Sequence, residues 1–255
     1  MTPLRYDLHL HSCLSPCGSD DMTPANLVNM AKLLGFDMIA LTDHNSCRNV
    51  PAAVAAGKEA GIIVVPGMEL CTEEEAHVVC LFPNVETALE FSEFVREKSA
   101  QVENRPEIFG NQLVVNERDE VVDREEILLI NAAGISVNEV SGLVRRRGGT
   151  AFPAHVDKSA YSVISNLGAV PPEAEFTAAE ISPRGNVQEV LEHNPELKEL
   201  LLLTNSDAHS LENMLDPKEW LDLPECSIPC LLEVLNGRKE GKSSINTNFF
   251  NSFLA

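Results

Sequence analysis

Leu4-Arg5-Tyr6-Asp7-Leu8-His9-Leu10-His11 is the stretch on which the fold reading turns. Leu4, Tyr6, Leu8 and Leu10 alternate with Arg5, Asp7, His9 and His11, the period of a strand. A loop of Ser, Pro, Cys, Gly and Asp follows. Thr23-Pro24 then opens a helix, with Thr23 as its cap and Pro24 at the first helical position. Leu27, Met30, Ala31 and Leu34 give that helix one apolar face, and Gly35 ends it. Residues 37–41 read as a short buried strand, 51–60 as a second helix closed by Gly61, 62–65 as the next strand and 78–81 as another. Strand, helix, strand, helix, strand at this spacing implies βαβ units on a parallel sheet, an α/β fold.

Farther along, residues 85–98 read as a helix. Residues 112–122 read as a hairpin, 113–115 against 121–122, turning at Glu117-Arg118-Asp119. Ser136 and Glu139 form a capping box for a helix that ends at Gly148-Gly149. Strands follow at 150–154, 178–181 and 200–203. No repeat or low-complexity linker divides the chain, so residues 1–255 are expected to form one domain with an insertion around 84–135.

The formal net charge of −20 and the lack of a basic stripe argue against a nucleic-acid duplex as partner. The longest basic run, Arg145-Arg146-Arg147, falls at a helix end, where cations suit the dipole. No apolar leader opens the chain and no run is long enough to span a membrane, which points to a cytoplasmic protein with no membrane partner. Seven cysteines in a chain of this size read as thiols or metal ligands, not a disulfide framework.

The seven histidines carry the chemistry, and six of them stand at strand ends or starts. His9-Leu10-His11 puts two imidazoles on one face of a strand. Thr42-Asp43-His44 leaves Ile39-Ala40-Leu41, Gly67-Met68-Glu69 leaves Ile62-Ile63-Val64-Val65, and His77 begins an apolar strand. Pro153-Ala154-His155 and Ser206-Asp207-Ala208-His209 likewise leave apolar runs. Polar ligands leaving buried strands are costly unless bound or paired, and in α/β barrels the strand ends carry the active site. Together they point to a metal site. His193, at a helix C-terminus, reads as a cap.

In order and spacing, H-x-H, T-D-H, G-x-E, A-H and S-D-x-H over residues 7–209 resemble the motif series of the PHP (polymerase and histidinol phosphatase) family. That resemblance implies a distorted (β/α)7 barrel with up to three metals, and phosphatase or phosphoesterase activity. It implies that His9, His11, Glu69 and Asp207 hold one ion, that His44 and His209 with a loop ligand hold a second, and that Glu69, His77 and His155 hold a third. Asp7 and Asp43 would orient imidazoles, and Asp43 is a candidate catalytic residue. The loop ligand departs from the family's Asp, Glu or His: Cys17 is favoured here, with Asp20 and Asp21 as alternatives.

Imidazole and carboxylate donors suit Zn, Mn or Fe, so two or three such ions are expected. The expected reaction is hydrolysis of a small phosphorylated metabolite or nucleotide by metal-activated hydroxide, with phosphate as product. Arg184 is the candidate phosphate clamp and Lys158 a second. No G-x-S-x-G elbow and no P-loop occurs. Amide hydrolysis and a non-catalytic metal-binding regulatory module are the alternatives.

Overall fold

A computed structural model describes residues 2–216 and 218–246. β1 (Thr2–Leu10) leads through α1 (Pro24–Leu34), β2 (Met38–Leu41) and α2 (Val50–Ala60) to β3 (Ile63–Cys71). At the start of α1 the Thr23 hydroxyl accepts from Asn26 N–H at 3.4 Å, and Gly35 closes the helix at φ 84°. β1, β2 and β3 pair in parallel, with Tyr6 opposite Met38 and Met38 opposite Ile63. Both faces of this sheet are covered, so the alternation in β1 does not separate core from solvent. Leu8, Leu10, His9 and His11 are all buried. Each buried leucine contributes about 1.5–3 kcal/mol, whereas the imidazoles must find partners.

The parallel series stops at β3. That strand runs past residue 65, where the sequence placed its end, and gains an antiparallel neighbour on its other edge. Through Pro66 it pairs with β2; from Gly67 onward it pairs antiparallel with β4 (His77–Leu81). A Cβ on Gly67 would lie 2.8 Å from Thr42 and 2.9 Å from Leu81, so the close approach from both sides favours glycine. After β4 come α3 (Val85–Lys98), α4 (Pro106–Phe109), the hairpin of β5 (Leu113–Val115) and β6 (Val121–Arg124), and α5 (Val137–Arg145). The hairpin turn holds Asp119 at φ 59°. β7 (Thr150–Pro153) pairs antiparallel with β4. Because β4 runs backwards between β3 and β7, its first residue, His77, lies at the rim where those two strands end.

The remaining elements are α6 (Val163–Leu167), β8 (Ala178–Glu180), α7 (Val187–His193), β9 (Leu201–Leu203), β10 (Trp220–Leu223), α8 (Ile228–Leu235) and β11 (Lys242–Ser243). They close a ring at the same rim. Val156 N–H donates to Glu180 O at 2.9 Å, and β8 pairs in parallel with β9. Asp207 N–H donates to His9 O and His11 N–H to Ala208 O, each at 3.1 Å. At its other end β1 is occupied by antiparallel β10, with Leu4 opposite Leu221 and β11 beyond. The curled sheet therefore forms a distorted (β/α)7 barrel, joined around through β1, β2, β3, β4, β7, β8 and β9. No helix among the described residues is long and apolar enough to cross a membrane.

Candidate metal centre

Glu69, on β3, stands at the centre of the rim and is buried. Its Oε1 lies 3.0 Å from His9 Nε2, 2.9 Å from His77 Nδ1 and 3.2 Å from His155 Nε2. Its Oε2 lies 2.9 Å from His44 Nδ1 and 3.3 Å from His11 Nε2. Asp207 Oδ1 lies 3.4 Å from His9 Nε2 and 3.2 Å from His11 Nε2, and the His209 ring stacks on His11 at 4.1 Å. His155 and Asp207 reach inward from left-handed backbone, at φ 31° and 52°. Such conformations are rare outside glycine and concentrate at functional sites.

Three overlapping groups bring their ligand atoms within 4.8 Å of one another: His9, His11, Glu69 and Asp207; His11, His44 and His209; and His44, Glu69 and His77. In the third, His44 stands where the resemblance put His155, whose Nε2 meets Glu69 from the other side. His44 Nδ1 and Glu69 Oε2 are buried and lie 2.9 Å apart, yet neither is oriented for a hydrogen bond. Buried polar atoms are seldom left so, and a shared cation satisfies both. The donor set thus fits divalent metal.

The local field agrees. Burial opposes charge on His9, but Glu180, Glu69 and Asp207 hold its imidazole well above the ordinary range. Burial opposes charge on Glu69 as well, and His77, His9 and His44 hold it well below the carboxylate range. Burial and the neighbouring His11 push His209 down to about 3, leaving it neutral with a lone pair to offer. The pocket calls for positive charge, which protons and metal ions compete to supply.

Sequence reasoning missed Glu180. This fully buried carboxylate lies 3.1 and 3.0 Å from His9 Nδ1, and accepts from His155 N–H at 3.0 Å and Asn205 Nδ2 at 2.7 Å. Its signal was the one that marked Glu69: a carboxylate leaving an apolar strand, here Ala178-Ala179-Glu180. Asp7 and Asp43 do not touch an imidazole nitrogen. Asp7 accepts from the backbone N–H of His9 at 3.3 Å and of Ser206 at 3.2 Å. Asp43 accepts from the hydroxyls of Ser12 and Ser15, and Ser15 Oγ lies 2.9 Å from His11 Nδ1. Asp43 is buried and does not line the cavity, so it acts on the histidines through Ser15.

A cavity of about 250 Å³ opens over the cluster, lined by His44, Glu69, His77, His155, Asp207 and His209 among others. Of the three loop candidates, Cys17 is the one that lines it, together with His44 and His209. Asp20 is exposed and accepts from Asn111 Nδ2 at 2.8 Å; Asp21 is exposed, its carbonyl accepting from Asn26 at 3.0 Å. Lys158 lines the cavity and pairs with Asp207 Oδ2 at 2.5 Å. Arg184 is exposed on the loop after β8 and is not a lining residue, since that loop folds onto Asp157, which accepts from Ser182 N–H at 2.7 Å. His193 is exposed at the end of α7, its Nδ1 2.8 Å from Glu189 O.

The PHP domain family matches residues 7–161. A 5'-3' exoribonuclease of Haemophilus influenzae is 34% identical over 104 residues, which are 38% of this chain and 37% of that protein. The chain thus spans well under half the length of this relative. Among solved structures, the lesion-specific endonuclease PfuEndoQ of Pyrococcus furiosus superposes with a TM-score of 0.63 at 17% identity, covering 95% of this chain and 58% of its own. An Endonuclease Q complex with a 27-mer duplex, an abasic lesion at its active site, gives a TM-score of 0.62 at 16% identity, covering 94% and 58%. An amidohydrolase of Chromobacterium violaceum with bound sulfate gives 0.57 at 19% identity, covering 92% and 96%. These likenesses are of fold, but the duplex complex overturns the expectation that excluded a nucleic-acid duplex. Net charge sums over the whole surface, whereas a phosphate meets the local field, which Lys158 and any cations gathered by the cluster would make positive.

Proposed function

The chain belongs to the PHP domain family, and on that premise we propose that it is a metal-dependent hydrolase that cleaves phosphoric esters of a small phosphorylated metabolite or nucleotide. One observation carries the reading: a buried carboxylate, Glu69, ringed by five imidazoles under a cavity whose cation is Lys158. His9, His11, Glu69 and Asp207 would hold one ion, His44 and His209 with Cys17 a second, and His77 and His155 with Glu69 a third. Bound Zn, Mn or Fe supplies the Lewis-acid charge that polarises the ester and ionises water near neutral pH.

The chain's own groups do the rest. Glu180 holds the His9 ring in one plane by its Nδ1, which directs Nε2 toward Glu69 and Asp207. Ser15, held by Asp43, does the same for His11. Lys158, partly exposed beside Asp207, meets a phosphoryl oxygen. The nuclease names of two similar proteins support an ester of phosphate. The cavity, about 250 Å³, falls just below the usual range of ligand pockets, about 300–1,000 Å³, which suits one phosphate and a small attached group. We also read residues 1–255 as one domain in which 84–135 is an insertion: Leu129 O and Asn131 O accept from Asn45 Nδ2 at 2.8 and 2.7 Å, and Ile130 between them lines the cavity.

Assay against phosphate mono- and diesters with Mn²⁺, Zn²⁺ and Fe²⁺ tests the reading. Metal-dependent release of phosphate or phosphomonoester is expected, with Lys158→Ala raising KM about tenfold. The likeness to an amidohydrolase favours amide hydrolysis as the second reading. Turnover of amides alone, or of no ester with any of the three ions, removes the first.

A further inference from the structure

Among the described residues that line the cavity, Tyr161 is the one aromatic side chain, histidines apart, and it is 51% exposed. Tyrosine is amphipathic, and a ring left half open at a pocket mouth has apolar area to offer a ligand. Its position is enforced. The backbone at Tyr161 is left-handed, φ 56°, a conformation that a bulky residue adopts only when its surroundings hold it there. One such hold is direct: Tyr161 O accepts from His77 N–H at 2.9 Å, tying the residue to the start of β4. The phenol ring then stacks on the His77 imidazole, with centroids 4.9 Å apart and planes inclined by 25°. Ile130 and Ala160 also line the cavity and add apolar surface, while Lys158 and the histidine–carboxylate cluster supply polar groups.

This division has a consequence for the substrate. The cluster and Lys158 suit a phosphate, and Tyr161, Ile130 and Ala160 suit a flat apolar group attached to it. We propose that Tyr161 is a specificity-determining residue that stacks the base of a nucleoside monophosphate, extending the His77–Tyr161 stack outward. The inference rests on the phosphoester reading for the chemistry at the cluster, and names the class of leaving group. Base–aromatic stacking tolerates any base, because every base has a π face, so adenine and uracil nucleotides are both accepted. Sugar phosphates without a base lose this contact and are discriminated against.

The test compares adenosine 5'-monophosphate with ribose 5-phosphate, which shares the phosphate and sugar and lacks the base. KM and kcat are measured on metal-loaded protein, and binding of each ligand is measured by calorimetry. Tyr161→Gly removes the ring at a φ that glycine adopts freely, and Tyr161→Asn does so with a residue tolerant of the same region. Both are expected to reduce the preference for the nucleotide, as a ratio of KM and of Kd, by about tenfold, while Tyr161→Phe keeps it. Equal treatment of the two esters by the parent protein, or an unchanged ratio in both ring-less variants, overturns the proposal. Should neither ester be cleaved while the nucleotide still binds more tightly through Tyr161, the stacking role stands and the phosphoesterase reading falls.

Discussion

Glu69 and Glu125 are both buried carboxylates beside a cavity, and they are held in opposite ways. Glu125, just after β6, meets Arg48 Nη1 at 3.1 Å and Arg96 Nη2 at 3.8 Å, and accepts from Ile127 N–H at 3.2 Å. Arginine is permanently charged and can only donate, so this site is complete with its own residues. Glu69 meets imidazoles, which when neutral bring lone pairs, and its Oε2 has no hydrogen bond. The cavities differ little in size, about 210 Å³ beside Glu125 and about 250 Å³ over Glu69. Burial and cavity volume therefore do not distinguish a carboxylate complete with its own partners from one in a cluster that could hold metal. The chemistry of the partners does.

The strongest test of that contrast is a pair of substitutions. Glu69→Gln keeps the side-chain volume and removes the charge that gathers the imidazoles; bound metal, by elemental analysis, and hydrolysis should both be lost. Glu125→Gln should leave metal content unchanged and lower stability in urea unfolding by about 1–3 kcal/mol. The loss is moderate because Arg48 is part-exposed and keeps Asp123. Metal loss in both variants would erase the distinction. A smaller effect is expected from Glu180→Gln, which leaves the His9 ring a neutral partner: metal affinity or activity should drop about 10–100-fold with the fold intact by circular dichroism. Wild-type affinity and rate in that variant would deny Glu180 its positioning role. Smallest is Cys17→Ser, where His44 and His209 remain in place. Zinc stoichiometry should fall by less than one ion per chain, and unaltered zinc binding and activity would strike Cys17 from the ligands.

Much of this was legible in the chain before folding. The period of residues 4–11, the Thr23-Pro24 start and Gly35 stop of α1, and the apolar runs before Asp43-His44 and Asp207 each depend on neighbours a few positions away. The reversal of β4 was not legible. The run Val78-Val79-Cys80-Leu81 has one pattern whether it pairs in parallel or antiparallel, and only its pairing with β3 and β7 brings His77 to the rim. The exchange of Arg184 for Lys158 had the same cause, since both follow a strand and only the course of each loop separates them.

The amino-acid sequence by itself determined the kinds of the main elements and the donors that stand at strand ends, because periodicity, capping and burial are set by short-range chemistry. Only the tertiary structure decided which donors come within reach of one another, which carboxylate meets His9 and which cation faces the cavity. Those are distances between side chains as far apart in the chain as His9 and Glu180, 171 positions, and they exist only once the barrel rim has closed.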